Sequence, residues 1–196
     1  QPQDPTVKIV SYNVGRFALD DGNIGSRAQC ADSIFAFIRR QDPDIVCLQE
    51  FRISDIEKIR SYLKGQMKGY RAEFYMFPMA NGSAFGNVTL SRIPVMDKGK
   101  IKFDESANLA IYTDYEVHDR RFRVYNCHFE SYNISLTGII KGIFSADKSV
   151  FSQTGTKMKR SIKRRPQQVD KVFSDIENCP VEAFVCGDFN DNPMSY

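Results

Sequence analysis

The chain has 196 residues, 42% of them hydrophobic and 26% charged, with a net charge of +3; this suits one sizeable globular domain rather than two. Its 15 Phe and 9 Tyr argue against a disordered chain, and no stretch approaches the ~20 apolar residues of a membrane-spanning helix. The five cysteines, Cys30, Cys47, Cys127, Cys179 and Cys186, are scattered without a CxxC pair, which argues against a zinc site or a disulfide framework.

The chain opens on Gln1-Pro2-Gln3-Asp4-Pro5, a short polar lead-in without Met, so an exported or anchored form with an upstream segment removed stays open. Val7 to Asn13 is an apolar, β-rich run. Gly22 to Gly25 reads as a loop and Ser26 as a helix N-cap, with Cys30, Ile34, Phe37 and Ile38 following at helical spacing. Pro43 ends that helix. Asp44 to Leu48 is apolar after its first residue, as a strand covered on both faces would be. A second helix is expected over Asp55 to Leu63.

The centre reads as strands over Tyr70 to Phe77, Ser83 to Ser91, Ala107 to Val117 and Arg121 to Phe129, with His118-Asp119-Arg120 as a hairpin turn. Residues 131–165 read as a basic insertion or mobile loop. Lys141, Lys148, Lys157, Lys159, Arg160, Lys163, Arg164 and Arg165 lie there against Asp147 alone. A solvated basic face is the ordinary meaning of such a run and a polyanionic partner the sharper one. A helix then carries Val169, Val172, Phe173 and Ile176 on one side, Pro180 stops it, and Val181 to Cys186 is another buried strand. The order of elements implies an α/β sandwich, helices covering antiparallel-rich sheets, in a single domain. Gly-rich phosphate loops are absent.

Polar, metal-competent residues sit where the apolar strands end. Asn13 closes the first strand and Gln49-Glu50 the second; Asn126 and His128 fall near the end of another, and Asp188 and Asn190 close the last. Singly, each has a bland meaning: a solvated carboxylate, a turn Asn, a structural His. Four such strand ends in one chain point instead to a site built on a rigid scaffold. Mg²⁺ asks for hard oxygen ligands and few protein carboxylates, which Glu50 and the side-chain oxygen of Asn13 supply. Phosphate-ester cleavage further needs a base or orienting group for water, for which Asp188 is suited. It also needs donors for the charge developing on phosphorus oxygens, for which His128 and Asn190 are suited.

The series Ser11-Tyr12-Asn13-Val14, Leu48-Gln49-Glu50, Leu90-Ser91-Arg92-Ile93-Pro94, Asn126-Cys127-His128-Phe129 and Gly187-Asp188-Phe189-Asn190 resembles the endonuclease/exonuclease/phosphatase (DNase I-like) superfamily. The resemblance implies a four-layer α/β sandwich and attack of water on a phosphate ester with Mg²⁺ (or Mn²⁺) as cofactor. It implies Glu50 as the main metal ligand with Asn13 beside it, His128 on the scissile phosphate, Asp188 orienting or activating water, and Asn190 holding water or phosphate. The implied substrate is a phosphate ester, in nucleic acid or a phospholipid head group.

The family closes on further strands and a Ser-Asp-His block, which does not occur before Tyr196. The expectation is therefore a domain whose C-terminal strands are missing, completed by a further segment or a second chain, and inactive over residues 1–196 alone. The competing expectation is a non-catalytic binding module that kept the sandwich.

Overall fold

The computed structural model describes residues 6–17, 24–104, 106, 108–129 and 166–189. Among them are eight strands: β1 (Ile9–Asn13), β2 (Ile45–Ile53), β3 (Arg71–Pro78), β4 (Ala84–Ser91), β5 (Asp97–Lys102), β6 (Leu109–Val117), β7 (Arg120–His128) and β8 (Glu182–Asp188). Three helices accompany them: α1 (Ile24–Arg40), α2 (Ile59–Gln66) and α3 (166–177). The strands form two sheets, ordered β1-β2-β4-β3 and β5-β6-β7-β8. Within each sheet one pair is parallel, β1 with β2 and β7 with β8, and the others are antiparallel.

Side-chain alternation sorts the strands into layers. Val46 and Leu48 of β2 and Val88 and Leu90 of β4 face outward, and pack on Phe35 and Ile38 of α1 and on Ile59 and Leu63 of α2. Tyr125 and Cys127 of β7 face outward on the other side, against Val172 of α3. The α3 helix is also fixed by the Tyr125 hydroxyl, which donates to Asp175 at 2.7 Å. Ile45, Cys47, Tyr115, Phe122 and Val124 meet between the sheets. The result is the expected four-layer sandwich, helix on sheet on sheet on helix. Each fully buried Leu, Ile or Phe contributes about 1.5–3 kcal/mol, and covering β2 on both faces explains its unbroken apolar run.

Several boundaries differ from the sequence reading. The first helix begins at Ile24, so Gly25 and Ser26 lie inside its first turn and Ser26 is not the N-cap; a first turn lacks intrahelical partners for its N–H groups and accepts either residue. The second helix starts as a 3₁₀ turn over Ile56–Lys58, capped by Asp55, whose Oδ1 accepts from Glu57 N at 3.0 Å. The β5 strand escapes alternation because Asp97-Lys98-Gly99-Lys100 is polar; it is a sheet edge, where lysines discourage stray pairing. His118 and Asp119, both at positive φ, make the hairpin alone, and Arg120 already pairs with Val117. Phe173, expected with the core-facing side of α3, is exposed, while Val169, Val172 and Ile176 pack inward. The basic segment 131–165 lies outside the described residues.

Candidate active site

The strands β1, β2, β7 and β8 deliver their C-terminal ends to one edge of the inter-sheet layer. In the parallel pairs Asn13 is registered on Gln49, and His128 on Asp188. Alternation places Ile9, Ser11 and Asn13 of β1 on the inner face, with Phe122, Val124, Asn126 and His128 of β7 and Phe184, Cys186 and Asp188 of β8. Strict alternation along β2 would put Gln49 inward and Glu50 outward. A β-bulge intervenes. The register with β4 breaks between Leu48 and Phe51, and Glu50 adopts φ +52. The extra residue turns Gln49 and Glu50 to the same side, and Phe51 returns to the helix-facing core. A non-glycine residue at positive φ carries strain that the surrounding structure must hold; here it aims a carboxylate into the site.

Glu50 Oε1 lies 3.3 Å from His128 Nε2 and 3.3 Å from Asn13 Nδ2, and its Oε2 lies 3.7 Å from Arg16 Nε. The hydrogen bond from His128 holds the Glu50 carboxyl below the usual carboxylate range, against the opposing effect of burial, with Asn13 and Arg16 assisting. Asn13 Nδ2 also donates to Asp188 Oδ2 at 2.6 Å, and its Oδ1 accepts from Gly15 N at 2.8 Å. The amide thus spans both carboxylates with its nitrogen. The oxygen expected to face a cation is turned to the backbone of the next loop.

Asp188 reaches this position because β8 runs close to β7. A Cβ on Gly187 would overlap the Cys127 carbonyl oxygen, so only glycine permits the approach. Ligand atoms of Glu50, His128 and Asp188 all lie within 4.8 Å of one another. Two carboxylates this close repel unless donors or a cation neutralise them. A divalent ion with hard-oxygen preference fits the donor set: two carboxylates, with an imidazole and an amide at the rim.

Of the residues expected from sequence, Asn13, Glu50, His128 and Asp188 converge. Asn190 lies outside the described residues. Sequence reasoning missed Arg16 and the buried polar layer beneath the site. Gln49 Nε2 donates to Asn126 Oδ1 at 2.8 Å and to Ser11 Oγ at 3.2 Å. Asn126 Nδ2 donates to the carbonyls of Leu48 and Val88 and to Thr89 Oγ1 at 3.0–3.3 Å. Asn87 Nδ2 reaches the carbonyls of Leu109 and Asn126. Gln49, Asn87, Thr89 and Asn126 are all at most 2% exposed, so these bonds tie the two sheets together one residue from Glu50 and two from His128. The signal available was the inward parity shared by Asn126 and His128.

The model of the Endonuclease/Exonuclease/phosphatase family matches residues 10–196. The fold is similar to a humanized TDP2 of D. rerio (TM-score 0.64, 17% identity, 95% of this chain and 63% of that one). It is also similar to an endonuclease/exonuclease/phosphatase from Beutenbergia cavernae (TM-score 0.66, 16% identity, 96% and 49%). A third is ANGEL2, a 2′,3′-cyclic phosphatase in complex with adenosine-2′,3′-vanadate (TM-score 0.63, 17% identity, 96% and 55%). This chain therefore spans about half to two-thirds of the structures it matches. No curated protein matches it. The family match over nearly the whole chain, on a four-layer sandwich with carboxylates gathered at its strand ends, shows that the chain belongs to the Endonuclease/Exonuclease/phosphatase family.

Proposed function

We propose that this site hydrolyses phosphodiesters of nucleic acids or nucleotides with the aid of a divalent cation, Mg²⁺ or Mn²⁺. The observation that carries the reading is the convergence of Glu50, His128 and Asp188 within 4.8 Å, from the bulge of β2 and the ends of β7 and β8. A cation held there supplies charge neutralisation for the phosphate oxygens. Glu50 is its main protein ligand, and Asn13 keeps Glu50 and Asp188 at a fixed separation. Asp188 accepts the proton of the attacking water or orients that water for in-line attack. His128 donates to a non-bridging phosphate oxygen, where negative charge grows in the transition state. Asn190, two residues beyond Asp188, holds water or phosphate in this scheme.

The substrate class is supported by two similar structures, D. rerio TDP2 complexed with single-strand DNA product and ANGEL2 with adenosine-2′,3′-vanadate. The basic run Lys141–Arg165 agrees with a polyanionic substrate.

The test is turnover of a single-stranded oligonucleotide and of bis-p-nitrophenyl phosphate by the natural full-length protein, in Mg²⁺ and in EDTA. The expected outcome is metal-dependent release that Asp188→Asn lowers by roughly a thousandfold or more. Turnover indifferent to both EDTA and Asp188→Asn would refute the reading.

A further inference from the structure

The edge strands β3 and β5 lie together on the side of the sandwich away from β8. Ala72 and Phe74 of β3 turn to the core under α1 and α2, and Ile101 of β5 turns to the core under α3. The alternate residues therefore face each other: Glu73, Tyr75 and Phe77 on β3, and Lys98, Lys100 and Lys102 on β5. A cleft of about 310 Å³ opens between Glu73, Tyr75, Lys98 and Lys100. Both strands run toward the end of the sandwich that holds Glu50, since β3 pairs antiparallel with β4, β4 with β2, β5 with β6 and β6 with β7. Lys98 Nζ pairs with Glu73 at 2.5 Å. Lys100 and Lys102 have no carboxylate partner among the described residues; their ammonium groups lie 4.2 and 5.4 Å from the centre of the Tyr75 ring. Arg60 lies over Phe74 in the same way, at 4.9 Å.

We propose that the cleft between β3 and β5 binds a single-stranded stretch of nucleic acid leading to the site, with Lys100 and Lys102 on its phosphates and Tyr75 and Phe77 on its bases. The inference rests on the nucleic-acid reading above and extends it to a surface outside the carboxylate cluster. Protection of an edge accounts for lysines on β5, but not for a ring laid beside two of them. A ring face offsets an exposed ammonium less than a phosphate does, so these cations are available to an anion. Glu73 is the one acidic side chain lining the cleft among the described residues, and Lys98 already neutralises it. The rings then continue to the site. Tyr75 and Phe77 have centroids 5.2 Å apart, Phe77 and Phe85 5.8 Å, and the Arg16 guanidinium lies 5.6 Å from the Phe85 centroid. Arg16 Nε is itself 3.7 Å from Glu50. Alternating cations and ring faces suit a single strand, which offers phosphates and unstacked bases together; a duplex keeps its base faces stacked on one another.

The test is binding of a fluorescein-labelled oligothymidylate to the natural full-length protein, read by anisotropy in EDTA so that nothing is cut. The double variant Lys100→Gln/Lys102→Gln, at two exposed positions, should weaken binding roughly tenfold. It should also flatten the slope of log affinity against log salt by about 1.4, since each single-strand phosphate contact contributes about 0.7. Tyr75→Ala should weaken binding roughly tenfold, and Tyr75→Phe should restore it. In Mg²⁺ the double variant should raise KM for the oligonucleotide, with its kcat and the turnover of bis-p-nitrophenyl phosphate unchanged. Unchanged oligonucleotide affinity or an unchanged salt slope in the double variant would overturn the proposal. So would equal weakening for a duplex, or loss of binding to phosphatidylserine vesicles with oligonucleotide binding intact. The two readings fail separately: lysine-dependent binding without turnover would refute the hydrolytic reading alone, and turnover with lysine-independent binding would refute the cleft alone.

Discussion

The layer between the two sheets has one apolar end and one polar end, built on the same four strands. Toward the starts of β2, β7 and β8, Ile45, Val124, Phe122 and Phe184 meet Tyr115 of β6 in an apolar core. Four to six residues further along these strands, and at the end of β1, the inward positions are Asn13, Glu50, His128 and Asp188. Between them lies a fully hydrogen-bonded polar tier of Gln49, Asn87, Thr89 and Asn126. The core between the first sheet and the helices α1 and α2 shows no such gradient and is lined by apolar side chains. The difference teaches that stability and chemistry are separated along the strands rather than between elements. The buried amides join them, since most of their bonds cross from one strand to another.

The comparison can be broken at either end. Ile45→Ala, at the dry end and fully buried, should cost about 2–5 kcal/mol in chemical denaturation and leave Mn²⁺ affinity unchanged. Loss of both together would mean that the two ends are not separable. Glu50→Gln should do the reverse. Mn²⁺ affinity by calorimetry should fall roughly a hundredfold, because a site with so few protein ligands loses its main carboxylate, while the denaturation midpoint should fall only slightly, since the part-exposed carboxylate loses its charge-assisted contacts to His128 and Arg16.

Asn126→Leu sharpens the middle tier. It strands the carbonyls of Leu48 and Val88 and the Gln49 amide, so stability should drop by about 3 kcal/mol and metal affinity by about tenfold. A change in stability alone would demote the tier to packing.

The smallest effect concerns a pair outside the layer. Burial raises the Asp44 carboxyl, but the Lys8 backbone N–H and Arg92 outweigh it and hold it below its ordinary value. A lowered folded-state value means a contribution that is complete above about pH 4, the unfolded carboxyl's range. It is lost as pH falls through the folded value. Asp44→Asn should therefore remove less than about 1 kcal/mol near neutrality and flatten the acid limb of stability against pH. A mutant limb as steep as the wild type's would rule the pair out as its source.

Much of this arrangement was legible in the sequence, for reasons that also mark where legibility stopped. Asn13, His128 and Asp188 stood out because a polar residue ends an apolar run, and the backbone carries them onward without a break in alternation. Glu50 stood out for the same reason, but the strand it seemed to end continues to Ile53. The bulge that turns Glu50 inward is a two-residue backbone event with no residue type of its own. In sequence Gln49 and Asn126 read as polar strand-end residues of the site and Asn87 as a surface amide; only the approach of the opposite sheet buries them and supplies their partners. Arg16 lies in a short 3₁₀ turn at φ +60, and its nearness to Glu50 depends on that local geometry. The β5 strand, polar and at an edge, carries no alternation to read. The basic-segment expectation falls on residues outside the description.

The central claim is that a divalent cation binds at Glu50, beside His128 and Asp188. The chain has two histidines: His128 in the site and His118 in the hairpin turn at the other end of β7. Their imidazole proton resonances, followed while Mn²⁺ is added in substoichiometric steps, report the ion's position directly. The account predicts that the His128 signals broaden beyond detection while those of His118 persist, and that Glu50→Gln abolishes the difference. Equal broadening of both histidines, or a His128 signal untouched by Mn²⁺, would contradict it.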